Sequence, residues 1–106
     1  MNGSRGPSRA PVRVDRVLAQ VLEEAGVKVQ VQRMAVVDAW PDIVGEQLSR
    51  VTKARGVDGA TLIVEVKSSA WLMELNMMRG DFLQRVNERL EEVPLERVVF
   101  VLAEIE

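Results

Sequence analysis

The chain has 106 residues, of which 47% are hydrophobic and 28% charged, and its formal net charge is −2. This length suffices for one domain with a modest core, and the composition excludes the disordered and fibrous classes. Because the chain contains neither cysteine nor histidine, we expect no disulfide, no metal site, no cofactor, no catalytic residue and hence no enzyme.

The first segment, residues 1–13, is rich in glycine, serine, proline and arginine. Its only charged residues are Arg5, Arg9 and Arg13, so residues 14–106 carry 11 of the 14 basic and all 16 acidic side chains. We predict a flexible basic arm followed by one folded domain, 14–106. The arm either contacts phosphate or an acidic partner, or is a solvated terminus. The acidic remainder is atypical of a dedicated nucleic-acid binder.

Residues 15–25 are predicted to form an amphipathic helix that ends at Gly26, a residue suited to the left-handed position after a helix. Its apolar face comprises Val17, Leu18, Val21, Leu22 and Ala25. Residues 27–32 alternate (VKVQVQ), which is typical of a short strand, whereas the apolar spacing over 31–37 is typical of a helix. We favour a linker followed by a helix that starts near Gln30.

Pro41 indicates a second break. Proline disfavours helical dihedrals at the residue before it and suits the first position of a new helix. We therefore predict a kink at Trp40, with that side chain in the core, and a helix from Pro41 to about Val51.

Residues 52–67 are predicted to form a β-hairpin whose turn has a left-handed Gly59, three loop residues and a bulge. The predicted pairs are Ala54 with Leu62 and Thr52 with Val64. A two-residue loop would shift the register by one residue and so move every side chain of one strand to the other face of the sheet. The cations would then lie on the apolar face, so we favour the three-residue loop. The opposite, open face then carries Lys53, Arg55, Thr61, Glu65 and Lys67.

Residues 68–93 follow helical spacing and form either one helix or two helices joined near Gly80, with Ser68 or Ser69 as the first cap and Asp81 as a possible second. The predicted buried stripe is Trp71, Leu75, Met78, Phe82, Val86 and Leu90. After Pro94, residues 97–103 (RVVFVLA) are predicted to form an apolar third strand.

The order of these elements predicts an α+β fold with helices on one face of a three-stranded sheet. No apolar run approaches the roughly 20 residues that span a bilayer, and the beginning of the chain lacks the apolar segment of a signal peptide. We therefore expect a cytoplasmic protein with no membrane contact.

Three features coincide in their order and spacing: Trp40 followed by Ile43-Val44-Gly45, a strand that runs into LIVEVKSSAW, and the helix that opens with WLMEL. Over about 14–102 the chain resembles the bacterial DciA family, whose members load or operate the replicative helicase. The resemblance implies a KH-like fold, related to the second KH type, in the order helix-strand-strand-helix-helix-strand. It also implies a non-enzymatic accessory protein of DNA replication, with the hexameric replicative helicase and DNA as its partners.

The residues of this chain that match the family pattern are Trp40, Val44, Gly45, Ser68, Ser69, Trp71 and Leu75. They either contact a partner or serve only the fold, as core tryptophans and helix caps. We expect Trp40 and Trp71 both to be largely buried.

The candidate contacts with nucleic acid or a protein partner are Arg50, Lys53, Arg55, Lys67 and Arg79. Without aromatic residues on the open face, these cations predict only weak, sequence-independent and salt-sensitive binding of single-stranded or forked DNA. Three other interpretations stay open. The domain is a KH-like nucleic-acid-binding module without a helicase role, although residues 79–81 are not a Gly-x-x-Gly loop. Alternatively, the face is solvated, with Lys53 paired to Glu65, or joins two copies through Ile63, its only large apolar residue. We expect a monomer or a weak homodimer.

Overall fold

A computed structural model of the chain describes residues 12–104. Of the predicted basic arm, residues 1–11 lie outside the described part, and Val12 and Arg13 belong to the first helix. The elements in chain order are α1 (Val12–Val44), α2 (Glu46–Ser49), β1 (Thr52–Asp58), β2 (Thr61–Val66), α3 (Ser69–Asn76), α4 (Arg79–Leu90) and β3 (Arg97–Leu102).

The three strands form one mixed sheet in the order β1-β2-β3. β1 and β2 are antiparallel, whereas β2 and β3 are parallel, with α3 and α4 in the crossover between them. The predicted α+β fold with a three-stranded sheet is therefore confirmed. Apart from the single turn of α2, the elements follow the order that the family resemblance implies.

The core lies between the helices and one face of the sheet. Its centre holds three aromatic rings, from Trp40, Phe82 and Phe100, whose centroids lie 5.8 to 6.5 Å apart in tilted or edge-to-face geometry. Such arrangements are the favoured ones for aromatic pairs. The side chains around these rings include Val36, Leu62, Val64, Val66, Leu75, Val86 and Val98.

Helix α1 is one continuous helix of 33 residues, so the predicted end at Gly26, the linker and the start of a new helix at Pro41 are wrong. Pro41 lies within the last turn of α1, where its missing N–H removes only one hydrogen bond of the helix. The helix ends instead at Gly45, whose φ of 92° favours glycine. The Gly45 N–H still donates to the Pro41 carbonyl at 2.9 Å, and α2 begins at the next residue, Glu46.

Hydrogen bonds from the middle of α1 anchor the helix to the domain beyond Gly26. Gln30 Nε2 donates to the carbonyls of Val57 (3.3 Å) and Gly59 (3.4 Å). The Arg33 guanidinium donates to the carbonyls of Gly59 (3.2 Å), Val93 (3.3 Å) and Pro94 (3.1 Å). These contacts hold this part of α1 against the hairpin turn and the α4–β3 connection.

The N-terminal part of α1 leaves the body of the domain. Every side chain from Arg16 to Lys28 is exposed, so the apolar face predicted for residues 15–25 is not covered by the domain. The Cα radius of gyration is 19.1 Å and the extents are 59 × 29 × 26 Å, whereas a compact chain of this length has a radius near 13 Å. We call residues 16–28 the free half of α1.

The hairpin register differs from the predicted one. Ala54 pairs with Val64 and Thr52 pairs with Val66, each two residues further along β2 than predicted. The bulge lies at Arg55, away from the turn, and the loop is the two residues Gly59-Ala60, with Gly59 left-handed as expected (φ 61°). Because the shift is two residues, every side chain keeps its predicted face.

Of the two arrangements left open for residues 68–93, the structure has two helices, α3 and α4. Ser68 caps α3 by accepting from the Trp71 N–H at 3.3 Å, but Asp81 is not a cap, because α4 begins two residues earlier at Arg79. The burial of both tryptophans is confirmed only for Trp40, which is 2% exposed. Trp71 is half-buried, and so is Met78 of the predicted stripe, because both flank the stripe that faces the sheet.

Candidate partner and nucleic-acid interface

The face of the sheet opposite the helices is not covered by any described element. Alternation along the strands places buried residues such as Thr52 and Leu62 toward the helices and their neighbours toward this side. We call it the open sheet face. It comprises Lys53, Arg55, Gly56, Asp58, Thr61, Ile63, Glu65, Lys67, Arg97, Val99 and Val101.

An aliphatic strip crosses the centre of the open sheet face. Ile63 lies beside Val99 and Glu65 beside Val101 in the parallel register of β2 and β3. Ile63 and Val99 are half-buried, and Val101 is 37% exposed. The expectation that Ile63 is the only large apolar residue of this face is wrong, because β3 contributes two valines.

Within residues 12–104, one ion pair joins two residues of the open sheet face, and a second joins Arg97 to the adjacent Glu96 at 4.0 Å. Arg55 Nε is 3.4 Å from Glu65 Oε2. The predicted pair of Lys53 with Glu65 does not form, although these two residues are opposite each other, because the side chain at the bulge reaches the carboxylate instead. Within residues 12–104, no salt bridge involves Lys53 or Lys67, so both ammonium groups are available to a ligand.

Four of the five predicted cations, all except Arg55, fall into two groups at the edges of the sheet. Arg50, Lys53 and Lys67 line one cleft beside β1, together with Asp38 and Pro41 of α1. Arg50 is also paired with Glu46 at 2.7 Å, but both side chains are over 70% exposed, so this pair adds little stability.

The second cleft, beside β3, is lined by Arg79 and Gly80 of α4 and by Arg97 and Val99. Arg97 donates to Thr61 Oγ1 at 3.1 Å, which holds its side chain along the open sheet face. Sequence reasoning missed Arg97. Its signal was the alternation within RVVFVLA, which puts Arg97 on the side of Val99 and opposite the buried Val98.

The turn between α3 and α4 does not form a nucleotide-gripping loop. Residues 79–81 belong to the first turn of α4, and the Asp81 N–H donates to the Met78 carbonyl at 3.0 Å. The Asp81 carboxylate is exposed at this end of the helix, where it repels phosphate. The single-strand grip of KH domains through a Gly-x-x-Gly loop is therefore not supported.

Six of the seven residues of the family pattern, all except Ser69, have a structural role that is visible within the domain. Trp40 Nε1 donates to Thr52 Oγ1 at 2.9 Å, Val44 and Leu75 are buried, and Gly45 provides the break between helices. Ser68 caps α3, Ser69 is the first residue of that helix, and Trp71 packs against the core. These roles explain the six residue types without a partner.

Several kinds of site are absent from the described part of the chain. Within residues 12–104, no three histidine, cysteine or carboxylate side chains are placed to hold a metal ion. None of the helices in this range combines the length and the apolar character that crossing a bilayer requires. The four aromatic residues of the chain, Trp40, Trp71, Phe82 and Phe100, all lie off the open sheet face.

Comparison with known proteins gives one family and several relatives. The family model described as "Dna[CI] antecedent, DciA" matches residues 13–100. A UPF0232 protein of Streptomyces avermitilis is 30% identical over 91 residues, which are 84% of this chain and 50% of that protein. UPF0232 proteins of Streptomyces coelicolor (26% over 91 residues) and Mycolicibacterium paratuberculosis (28% over 82 residues) cover 84% and 76% of this chain, and 48% and 45% of their own lengths. The chain thus spans about half the length of these relatives.

Proposed function

The chain belongs to the DciA family, and from this membership we propose that it is a non-enzymatic accessory protein of bacterial DNA replication that binds the hexameric replicative helicase and helps to load or operate it on DNA. The family description supports a replication-related role. The observation that supports a particular binding surface is the composition of the open sheet face, where an aliphatic strip lies among Lys53, Arg55, Lys67 and Arg97.

This composition is that of a protein interface. Interface centres are apolar and poor in charge, their rims are polar, and arginine is enriched because its planar group donates several hydrogen bonds at once. Ile63, Val99 and Val101 supply the centre, and the cations supply the rim. An acidic surface of the helicase is the complementary partner, and opposite charge would also accelerate their encounter.

DNA contact is the secondary part of the proposal. Phosphate groups satisfy Lys53 and Lys67 as well as carboxylates do, and the cleft beside β1 adds Arg50. Because the open sheet face has no aromatic residue on which bases can stack, the contact is weak and independent of sequence.

The alternative function is a KH-like nucleic-acid-binding module without a helicase role. The element order favours it, but the helical residues 79–81 and the exposed Asp81 disfavour it. The two functions differ in the ligand that survives physiological salt, which is the helicase in the first case and single-stranded nucleic acid in the second.

The decisive experiment measures binding of the purified replicative helicase of the same organism to the immobilised chain near physiological salt. The test variant is Lys53→Glu with Lys67→Glu, because neither residue has an ion pair within the described residues. The matched control is Arg16→Glu with Arg89→Glu, which changes the net charge equally at two exposed positions off the open sheet face. We expect the test variant to bind at least tenfold more weakly and the control to bind like the parent.

Circular dichroism and thermal melting establish first that both variants are folded, since exposed charges contribute little to stability. A parent chain that does not bind the helicase contradicts the proposed function. Equal loss in both variants contradicts the assignment to the open sheet face and indicates a general charge effect.

A further inference from the structure

The free half of α1 exposes several large apolar side chains to solvent. Val17, Leu18, Val21 and Leu22 are 68%, 51%, 54% and 62% exposed. An amphipathic helix normally directs such residues at a core. Here the domain lies beyond Lys28, and these side chains contact none of it.

Five of the exposed apolar residues form one continuous stripe. Leu18, Val21 and Ala25 follow the alternating steps of three and four residues that are typical of a coiled-coil seam, and Val17 and Leu22 flank them. At the roughly 100° per residue of an α-helix, these five cover an arc of about 140°. Arg16 and Glu23 point away from the stripe.

The free half of α1 is held in a fixed direction but has no stabilising contact of its own. The five hydrogen bonds of Gln30 and Arg33 fix α1 where it leaves the domain. A helical segment of about 13 residues without tertiary contacts is marginal in water. A docked neighbour would stabilise it, and the anchored end of the helix lowers the entropy that is lost on docking.

The charges of the segment indicate what that neighbour is. Arg16 and Lys28 balance Glu23 and Glu24, so the segment attracts neither phosphate nor a strongly charged protein. Helices that lie on membranes carry a polar face rich in lysine and arginine, which is absent here. A neutral apolar stripe is complementary to another copy of itself, and two copies do not repel each other.

We propose that two copies of this chain associate through antiparallel pairing of the free halves of α1, with Leu18, Val21 and Ala25 in the seam. Antiparallel pairing places the two bodies at opposite ends of the helix pair, whereas parallel pairing crowds bodies up to 26–29 Å wide around helices only about 8–10 Å apart. Covering the stripe buries on the order of 300 Å² of apolar side chain per copy. The total of about 600 Å² is less than the roughly 1,000 Å² of a stable specific interface, so the dimer is weak and transient.

Sedimentation equilibrium of the full chain, at roughly 10 µM to 1 mM, covers the range in which so small an interface dissociates. We expect a reversible monomer–dimer equilibrium. Leu18→Glu should weaken association at least tenfold, because it places a charge in the seam. The control Glu23→Lys, on the opposite side of the helix, should leave association unchanged, and both variants should keep the parent's melting temperature.

A cross-linking experiment tests the direction of pairing, since the chain has no cysteine of its own. Chains with Leu18→Cys are mixed with chains carrying Ala25→Cys and oxidised. Antiparallel pairing yields the mixed disulfide, whereas parallel pairing yields disulfides between like chains and contradicts the proposed orientation.

Two results overturn the proposal of a dimer through α1: a parent chain that stays monomeric throughout, or a dimer that persists in Leu18→Glu. If the persisting dimer is lost in Ile63→Asp, the contact lies on the open sheet face. None of these measurements involves the helicase, so they are independent of the proposed function.

Discussion

Thr52 is a buried polar side chain at the centre of the domain, with 8% exposure. Its Oγ1 accepts from Trp40 Nε1 at 2.9 Å and donates to the Leu48 carbonyl at 2.7 Å. One hydroxyl therefore joins the end of α1, the turn of α2 and the start of β1. Its removal would leave a buried indole N–H without a partner, whereas the Leu48 carbonyl would still accept from the Val51 N–H at 3.1 Å.

We expect Thr52→Val to lower the free energy of unfolding by about 1–3 kcal/mol, because the shape is kept while a buried donor loses its acceptor. The matched control is Thr61→Val on the open sheet face, where Thr61 accepts only from the exposed Arg97 and the cost should stay below about 0.5 kcal/mol. Urea denaturation of both variants measures the difference. Equal stability of the two would show that the bond to Trp40 contributes nothing.

The burial or capping role of a single residue was predictable where the spacing of its neighbours in the sequence determines that role. Trp40 was expected in the core and Ser68 as a cap, because both follow from patterns within a few residues. The hydroxyl partner of Trp40 was not predictable, since it depends on where β1 meets α1. The partial exposure of Trp71 was missed for a similar reason, because helical spacing marks an apolar side but not how far the sheet extends beneath it.

At the scale of the elements, two glycines in and next to α1 differ in conformation. Gly26 is helical, whereas Gly45, the residue after the helix, is not. Gly26 lies inside the helix with open space around the position of a Cβ atom. Gly45 has equal space but a φ of 92°, which L-residues rarely adopt. The two glycines should therefore respond oppositely to the same substitution.

We expect Gly26→Ala to stabilise the protein by about 0.5–1 kcal/mol, through lower backbone entropy in the unfolded chain. Gly45→Ala should destabilise it by about 1–3 kcal/mol, since alanine must hold a strained backbone. Chemical denaturation compares both with the parent. A Gly26→Ala variant less stable than the parent would argue against an uninterrupted α1.

The continuity of α1 was not predictable from local sequence. Gly26 and Pro41 both mark helix ends in isolation, and their local costs are about 1 and 3 kcal/mol. The contacts that hold the part of α1 between these two residues join it to residues distant in the chain, such as the bonds of Arg33 to residues 60 and 61 positions away. The faces of the hairpin were predictable despite the wrong register, because alternation fixes the face and only the turn fixes the partner.

Across the whole molecule, charge is unevenly distributed. The chain is acidic, with a formal net charge of −2, yet the open sheet face and its two edge clefts hold Arg50, Lys53, Lys67, Arg79 and Arg97. Lys53, Arg55 and Lys67 were predictable from strand alternation. The side of Arg97 was predictable in the same way, from the alternation within RVVFVLA, whereas its partner Thr61 was not, because no local pattern fixes the register of a parallel crossover.

We expect weak binding of single-stranded or forked DNA that falls steeply with salt. With about four phosphate contacts, the affinity for a single strand should drop roughly fifty-fold between 50 and 200 mM salt. Fluorescence anisotropy at several salt concentrations gives the slope, and Lys53→Glu with Lys67→Glu should flatten it. Tight binding that persists at the higher salt would contradict this and favour the KH-like alternative.

The parallel pairing of β2 with β3 also has a kinetic consequence. The β1–β2 hairpin closes across two residues and forms on a timescale of about 1–10 µs, whereas β3 reaches β2 only after residues 67–96 are arranged as a crossover. Loop-closure entropy opposes that step until α3 and α4 pack. We therefore expect folding to pass through states in which one edge of β2, the strand that carries Leu62, Val64 and Val66, has no strand beside it. In such states the chain is most exposed to mispairing with other chains.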